Sequence, residues 1–325
     1  MHIHFLQIFI FSFLLTQVSF TTNSMASSKE ENPINQADPT IFFYDGVYYL
    51  YGTNDKNASD GFIVYHSTDK MKTWTLKGTA LRKGDSFGDR GFWAPHVWVH
   101  KGKFYMAYTA NEKIAVAESD SPYGPFTQKN KVPIEYKYGQ IDPFVFIDDD
   151  GKKYMYYVRL DGANKIWVAE LNDDFLSMKE GTNVECITAQ EGTWEHVNET
   201  KGKVAEGPTV VKHIGKYYLF YSANDFRLKD YAVGYAVSDN VYGPWTKFSG
   251  NPIIHQSNTG HAGSGHGDIL KNADGSLLYV LHTHNSPAKV GPRKSAVIKL
   301  EAITKNGMTI FTAAKDSFKF LRLHK

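Results

Sequence analysis

The sequence predicts an all-β fold, a five-bladed β-propeller with four antiparallel strands per blade, and three observations carry that prediction. Five segments open on one kind of turn: Ala37-Asp38-Pro39-Thr40, Ala94-Pro95-His96-Val97, Ile141-Asp142-Pro143-Phe144, Glu206-Gly207-Pro208-Thr209 and, without proline, Gly265-His266-Gly267-Asp268. A glycine follows each opener and starts an aromatic-rich strand, at Gly46, Gly102, Gly151, Gly215 and Gly275. The openers recur roughly every 50–60 residues, a period that suits radially repeated sheets of strands and tight turns. Outside an N-terminal apolar run, no stretch longer than about ten residues keeps a 3.6-residue apolar period, so helices should be few.

The elements follow in chain order. Residues 5–15 are an apolar run too short to span a bilayer. Residues 1–26 are therefore expected to be a signal peptide and leader, cleaved after Phe20 or Ala26. The protein is expected to be exported, periplasmic or extracellular, and free of the membrane after processing. No cysteine follows the apolar run, which excludes a lipid-anchored N-terminus. A single propeller domain is expected over residues 33–325. Blade one runs from Asp38 through Tyr48-Tyr49-Leu50 and Phe62-Ile63-Val64 to Trp74-Thr75. Blade two runs from Pro95 through Phe104-Tyr105-Met106 and Ile114-Ala115-Val116 to Phe126-Thr127. Blade three contributes Asp142, Tyr154-Met155 and Ile166-Trp167-Val168. Blade four contributes Glu206, Tyr217-Tyr218-Leu219, Val233-Gly234-Tyr235 and Trp245-Thr246. Blade five contributes His266, Leu277-Leu278-Tyr279 and Ala296-Val297-Ile298. Ser-Asp and Tyr-Gly-Pro supply the turn chemistry, and Asp45-Gly46 and Asp274-Gly275 read as hairpin turns.

Composition narrows the function. The net charge is +2 with signs interspersed, so no basic stripe exists for nucleic acid. Cys186 is the one cysteine, which excludes a disulfide framework and a cysteine zinc site. An aromatic share of 14% serves strand packing and sugar stacking equally well.

Equivalent positions of a propeller converge on its axis, so Asp38, Asp142 and Glu206 are expected at one channel mouth. Inverting hydrolysis of a glycosidic bond needs one carboxylic acid and one carboxylate about 6.5–9.5 Å apart. Asp38 and Glu206, on different blades, can form such a pair, and the charge of Asp142 would raise the proton affinity of Glu206. An Asp before Pro is more often a turn-former. The three acids stand out by a shared register at the head of the innermost strand, where other blades carry Ala94 and His266. Asp148, Asp149, Asp150, Asp173 and Asp174 read as solvated turns. Trp93 and Phe144 either line a sugar pocket or pack an inner strand, and Phe226 sits in a loop that could rim the cleft. His282 and His284 share one strand face and could hold a metal or serve packing.

Ala-Asp-Pro-Thr at 37–40, Trp-Ala-Pro at 93–95, Ile-Asp-Pro-Phe at 141–144, Glu-Gly-Pro at 206–208 and Gly-His-Gly at 265–267 resemble glycoside hydrolase family 43. The resemblance implies a five-bladed propeller and an inverting enzyme acting on pentose- and sometimes galactose-containing glycans. It implies Asp38 as general base, Glu206 as general acid and Asp142 as the acid that tunes and orients Glu206. It also implies Arg293 as a sugar contact and His266 as an axial histidine beside a cation such as calcium, with no organic cofactor. His96 departs from the pattern, because many members carry an acid there. The expected substrate is a terminal α-L-arabinofuranosyl unit of a plant-type polysaccharide. β-Xylosidase and galactofuranosidase are the alternatives within the class, and a non-catalytic glycan-binding propeller is the alternative outside it. A monomer is expected, with carbohydrate as its partner.

Overall fold

A computed structural model describes residues 32–134, 138–197, 202–272, 274–305 and 307–324; the expected signal peptide lies outside them. Five antiparallel meander sheets follow one another along the chain. Blade one holds Ala37–Tyr44, Val47–Thr53, Gly61–Ser67 and Thr75–Arg82. Blade two holds Trp93–His100, Lys103–Ala110 and Lys113–Ser119. Blade three holds Gly139–Ile147, Lys153–Leu160, Asn164–Glu170 and Val184–Ile187. Blade four holds Ala205–His213, Lys216–Ala223, Ala232–Ser238 and Thr246–Lys247. Blade five holds Gly265–Lys271, Leu277–Thr283, Lys294–Lys305 and Met308–Ala313, with Lys319–Phe320 added beside its third strand. Helix is confined, among the described residues, to the short turns Gln256–Thr259 and Lys315–Ser317.

The five-bladed propeller is as expected, but the uniform four strands per blade are not. Blade two has three strands, its fourth reduced to one bridge between Glu118 and Thr127. The cause is local. Pro122 and Pro125 lack the N–H that a ladder needs, so pairing resumes only at Thr127. The same Tyr-Gly-Pro turn in blade four leaves a strand of only two residues, Thr246–Lys247. Asp148 also departs from expectation. It is no solvated turn, because it binds Lys212 Nζ (2.6 Å) and the Tyr217 hydroxyl (2.5 Å) of blade four.

The apolar core is divided among the blade interfaces. Tyr51 and Phe62 of blade one meet Phe92 and Tyr108 of blade two, and Trp98 of blade two meets Tyr157 of blade three. Tyr156 of blade three meets Leu219 of blade four, and Phe220 of blade four meets Tyr279 of blade five. Leu270 and Val280 of blade five then meet Leu50 and Trp74 of blade one, which closes the ring. Both chain ends reinforce that last interface. Ile34 N–H donates to Leu321 (2.9 Å) while Ser295 N–H donates to Ile34 (2.9 Å), and Trp74 N–H donates to Arg322 (2.9 Å).

The closure yields a stability prediction. Leu321 is buried in this last interface, and Leu321→Ala should cost about 2–5 kcal/mol of the kind seen for large-to-small core changes. Exposed Leu176→Ala should be nearly silent. Equilibrium denaturant unfolding of the two variants measures the difference; equal midpoints would mean the closure does not limit stability.

Candidate active site

Each inner strand breaks its ladder at the opening turn. In blade one the pairing jumps from Ala37↔Thr53 to Thr40↔Tyr51, and in blade three from Ile141↔Val158 to Phe144↔Tyr156. The skipped residues bulge toward the axis, where proline is tolerated because no ladder N–H is required. At the bulge the backbone turns left-handed in all five blades: Asp38 (φ 47°), Ala94 (46°), Asp142 (56°), Gly207 (58°) and His266 (39°).

This register corrects the sequence reading in one respect. Glu206 does not share the position of Asp38 and Asp142; Gly207 does. Glu206 sits one residue earlier, in the place of Ala37, Trp93, Ile141 and Gly265. Glycine is required at 207 by its neighbour, not by its positive φ, which non-glycine residues adopt in the other four blades. A Cβ there would lie 2.8 Å from the His266 ring.

The N–H of every bulge residue is captured by a side chain. Thr53 accepts Ala94 (3.0 Å), Thr109 accepts Asp142 (3.0 Å), Ser222 accepts His266 (2.8 Å) and His282 Nδ1 accepts Asp38 (3.1 Å). The acceptor comes each time from the second strand of the preceding blade. Blade three offers Val158 at that position, and the Gly207 N–H goes instead to Asp142 Oδ2 (3.1 Å).

Asp38 is buried and surrounded by donors. The Thr53 hydroxyl donates to Oδ2 (2.6 Å) and Arg293 Nη1 to Oδ1 (3.0 Å). Arg293 is itself clamped by Asp55 through Nε (3.0 Å) and Nη2 (2.7 Å). Burial alone would raise the Asp38 pKa. The Arg293 charge, helped by His266, outweighs burial and holds the carboxyl well below its usual range. Asp38 is therefore ionised.

Glu206 has the opposite balance. Burial pushes its pKa up to about 7 with help from the charge of Asp38, although Tyr231 and Asn164 both oppose the shift. The Tyr231 hydroxyl donates to Oε1 (2.8 Å) and the Asn164 amide to Oε2 (3.0 Å). Asp142 is raised as well, by burial first and then by Glu206 and Asp38. One cavity thus holds a carboxylate and a coupled pair of carboxyls that retain a proton.

The cavity, of about 390 Å³, is lined from all five blades: Asp38, Trp93, Ile141, Asp142, Asn164, Val204, Glu206, the segment 225–227, His266 and Arg293. Trp93, Phe226 and Arg293 lie where sugar contacts were expected, with the Arg293 guanidinium stacked 4.7 Å from the Phe226 ring centre. Phe144 does not lie there. It packs 4.4 Å from His96 and lines a water-sized axial pocket of about 30 Å³ behind the acids. Two residues past the Asp142 bulge, it has re-entered the ladder opposite Tyr156. His96 belongs to the same axial pocket, its Nδ1 accepting the Val145 N–H (3.1 Å). His282 and His284 do not converge on a metal. His282 holds the Asp38 backbone and burial keeps it neutral, its pKa lowered to about 4, while His284 Nε2 donates to the Phe226 carbonyl (2.8 Å).

Sequence reasoning missed Asn164, Tyr231 and Asp55. Asn164 begins the third strand of blade three, and Tyr231 ends the segment just before the third strand of blade four. Neither occupies an opener, so the repeat carried no signal for them.

The comparisons with known proteins agree with this geometry. The family model of glycosyl hydrolases family 43 matches residues 31–309, and the chain belongs to that family. A protein of Bacteroides ovatus named xylosidase/arabinosidase is 31% identical over 252 residues, covering 65% of this chain and 76% of its own. Xylosidase/arabinosidase 43A of Humicola insolens is 31% identical over 263 residues, covering 66% and 79%. A crystal structure described as endo-1,4-beta-xylanase from Bacteroides thetaiotaomicron superposes with a TM-score of 0.83 at 43% identity, over 92% of this chain and all of that one. The protein is a glycoside hydrolase.

With Asp38 as base and Glu206 as acid, the roles proposed below, the pH dependence follows from the two signs. A base works while ionised and an acid while protonated. Asp38, held low, stays ionised down to pH values below its ordinary range, whereas Glu206 loses its proton as pH rises through about 7. The profile of kcat/KM should therefore be bell-shaped, with an alkaline limb near 7 belonging to the coupled Glu206–Asp142 pair and an acidic limb below about 4. An acidic limb at 5 or above would contradict the pairing of Asp38 with Arg293.

Proposed function

We propose that the protein is an inverting, exo-acting glycosidase that releases a terminal pentose, α-L-arabinofuranose, from plant-type polysaccharide or oligosaccharide. The observation that carries the reading is the opposed protonation of Asp38 and Glu206 in one cavity. Glu206 gives its proton to the leaving glycosidic oxygen. Asp38 takes a proton from the water that attacks the anomeric carbon from the other side. Asp142 accepts the Gly207 N–H beside Glu206; raised itself by burial and by the charges of Glu206 and Asp38, it joins Glu206 in a pair of carboxyls that holds a proton next to the leaving oxygen. Trp93 and Phe226 supply apolar ring surface for the sugar, and Arg293 orients its hydroxyls while fixing Asp38. Walls from all five blades favour a pocket for a chain end over an open groove.

The xylosidase/arabinosidase names of the two relatives support a pentose. They equally support β-xylose, which is the second reading. On the same proposal the protein acts outside the cytoplasm, directed there by residues 1–26; N-terminal sequencing of the secreted form tests this.

His266 borders both the cavity and the axial pocket. In that pocket the Asp268 carboxylate is already taken by the Thr40 and Thr209 hydroxyls (2.7 Å each). Among the described residues no three acids or histidines converge into a metal cage. The donor set suits a hydrated cation with His266 as its one protein ligand, and we propose calcium, an ion that takes oxygen ligands, largely water here. When bound it supplies positive charge on the axis.

Two experiments test these proposals. Asp38→Asn and Glu206→Gln should each lower turnover on an aryl arabinofuranoside by about 10²–10⁴-fold. A good leaving group should partly rescue Glu206→Gln but not Asp38→Asn, and proton NMR should show the inverted anomer first. Net retention would reject the mechanism, and a tenfold preference for aryl β-xyloside, about 1.4 kcal/mol, would transfer the substrate to the second reading. Chelation should lower both the melting temperature and activity; full stability and activity after verified ion removal would eliminate the cation.

A further inference from the structure

Both carboxyl oxygens of Glu206 are engaged, but from different sides. Asn164, which meets Oε2, lines the cavity. Tyr231, which meets Oε1, is fully buried and takes no part in the cavity lining. Its ring is held from two directions. It stacks on His282, 5.7 Å between centres and 11° apart in plane, and it fills the space left by Gly265, where a Cβ would lie 2.5 Å from the ring. Gly265 is the blade-five counterpart of Glu206. Blade five therefore gives up a side chain at that position, and Tyr231 occupies the room.

We infer that Tyr231 is a positioning residue for proton donation, confining the transferable proton of Glu206 to Oε2, the oxygen that faces the cavity. This rests on the reading of Glu206 as the acid. A phenol has one proton to give, and Glu206 Oε1 is its hydrogen-bond acceptor in the structure. While Tyr231 donates there, Oε1 cannot hold the acid's own proton toward the same hydroxyl. The proton is left on Oε2, next to the Asn164 amide and the leaving oxygen. When it departs, Oε1 gains negative charge and the Tyr231 bond becomes charge-assisted, about twice as strong as a neutral one. The contact is stronger after transfer than before, which is the condition for lowering a barrier. The groups facing Glu206 from other elements are Asp142 of blade three, Asp38 of blade one, Arg293 of blade five and, on its own blade, Arg227. None of these four hydrogen-bonds to Oε1, whereas the Tyr231 hydroxyl does.

The test is Tyr231→Phe in the full protein, assayed on aryl glycosides whose leaving groups span a wide range of pKa. The expected result is a kcat loss of tenfold or more, on the order of one acid–base contribution, on poor leaving groups. The loss should be small on good ones, with KM unchanged. The alkaline limb of kcat/KM should move to higher pH, because a donor to the carboxylate form has been removed. In a Glu206→Gln background the same change should add no further dependence on leaving group. Gly265→Ala displaces the ring from another strand while keeping the hydroxyl, and should give the same leaving-group-dependent loss; it serves if Tyr231→Phe does not fold. An equal loss on all leaving groups with an unmoved limb would overturn the inference. Insensitivity of Glu206→Gln itself to leaving group would instead overturn the assignment of the acid, whatever Tyr231 does.

Discussion

Five left-handed residues, one per blade, decide where everything at the axis points, and each is held by a hydrogen bond to its N–H. A non-glycine residue in this conformation costs about 1–2 kcal/mol, and Asp38, Ala94, Asp142 and His266 all adopt it. Ala94 has no chemistry to perform, so the strain belongs to the architecture. The capturing side chains, Thr53, Thr109, Ser222 and His282, come from the preceding blade, so each bond both relieves a buried donor and links neighbours. Blade three breaks the pattern because Val158 cannot accept. Asp142 accepts in its place, from Gly207. The carboxyl of Asp142 is thus also the group that sets the backbone beside Glu206.

Charge at the axis follows from one pairing. Arg293 bridges Asp38 and Asp55, so a buried cation sits between two carboxylates. An unpaired buried charge is severely destabilising, and this arrangement leaves Asp38 ionised and compensated. Glu206 and Asp142 have no such cation in contact. With a negative Asp38 nearby and both side chains buried, the favoured state for the pair retains a proton. The ionised carboxylate and the proton-holding carboxyls are separated by which residue the arginine touches, not by residue type.

The fold was legible because repetition amplifies weak signals: a tight turn, seven or eight residues and a glycine mean little once but specify blades when they recur five times, four of them with proline. The details that failed are those that repetition does not control. Strand counts vary from three to five because prolines and an added C-terminal strand alter the outer edges, far from the conserved geometry of the axis. The register of Glu206 was misread because the acids were aligned with one another. Aligning Pro39, Pro95, Pro143 and Pro208 places Gly207, not Glu206, opposite Asp38. Of the two readings open for Phe144, pocket lining and inner-strand packing, the structure takes the second, because past a bulge two residues suffice to reverse a side chain's direction.

The His-x-His pair shows why a local motif can suggest the wrong chemistry. Two histidines on one strand face suggest a metal, but the pair spans the boundary between two jobs. His282 lies opposite Gly265 and inherits the role that Thr53 and Ser222 play elsewhere, accepting a neighbour's N–H. Accepting at Nδ1 requires a neutral ring, and burial enforces neutrality. His284, one step nearer the rim, donates to Phe226 and so fixes the segment that carries the Phe226 ring over Arg293. The stacking of His282 on Tyr231 then joins the two halves of the site: one ring supports the backbone of Asp38, the other the carboxyl of Glu206. A position that three other blades fill with threonine or serine is filled here by a ring large enough to reach both.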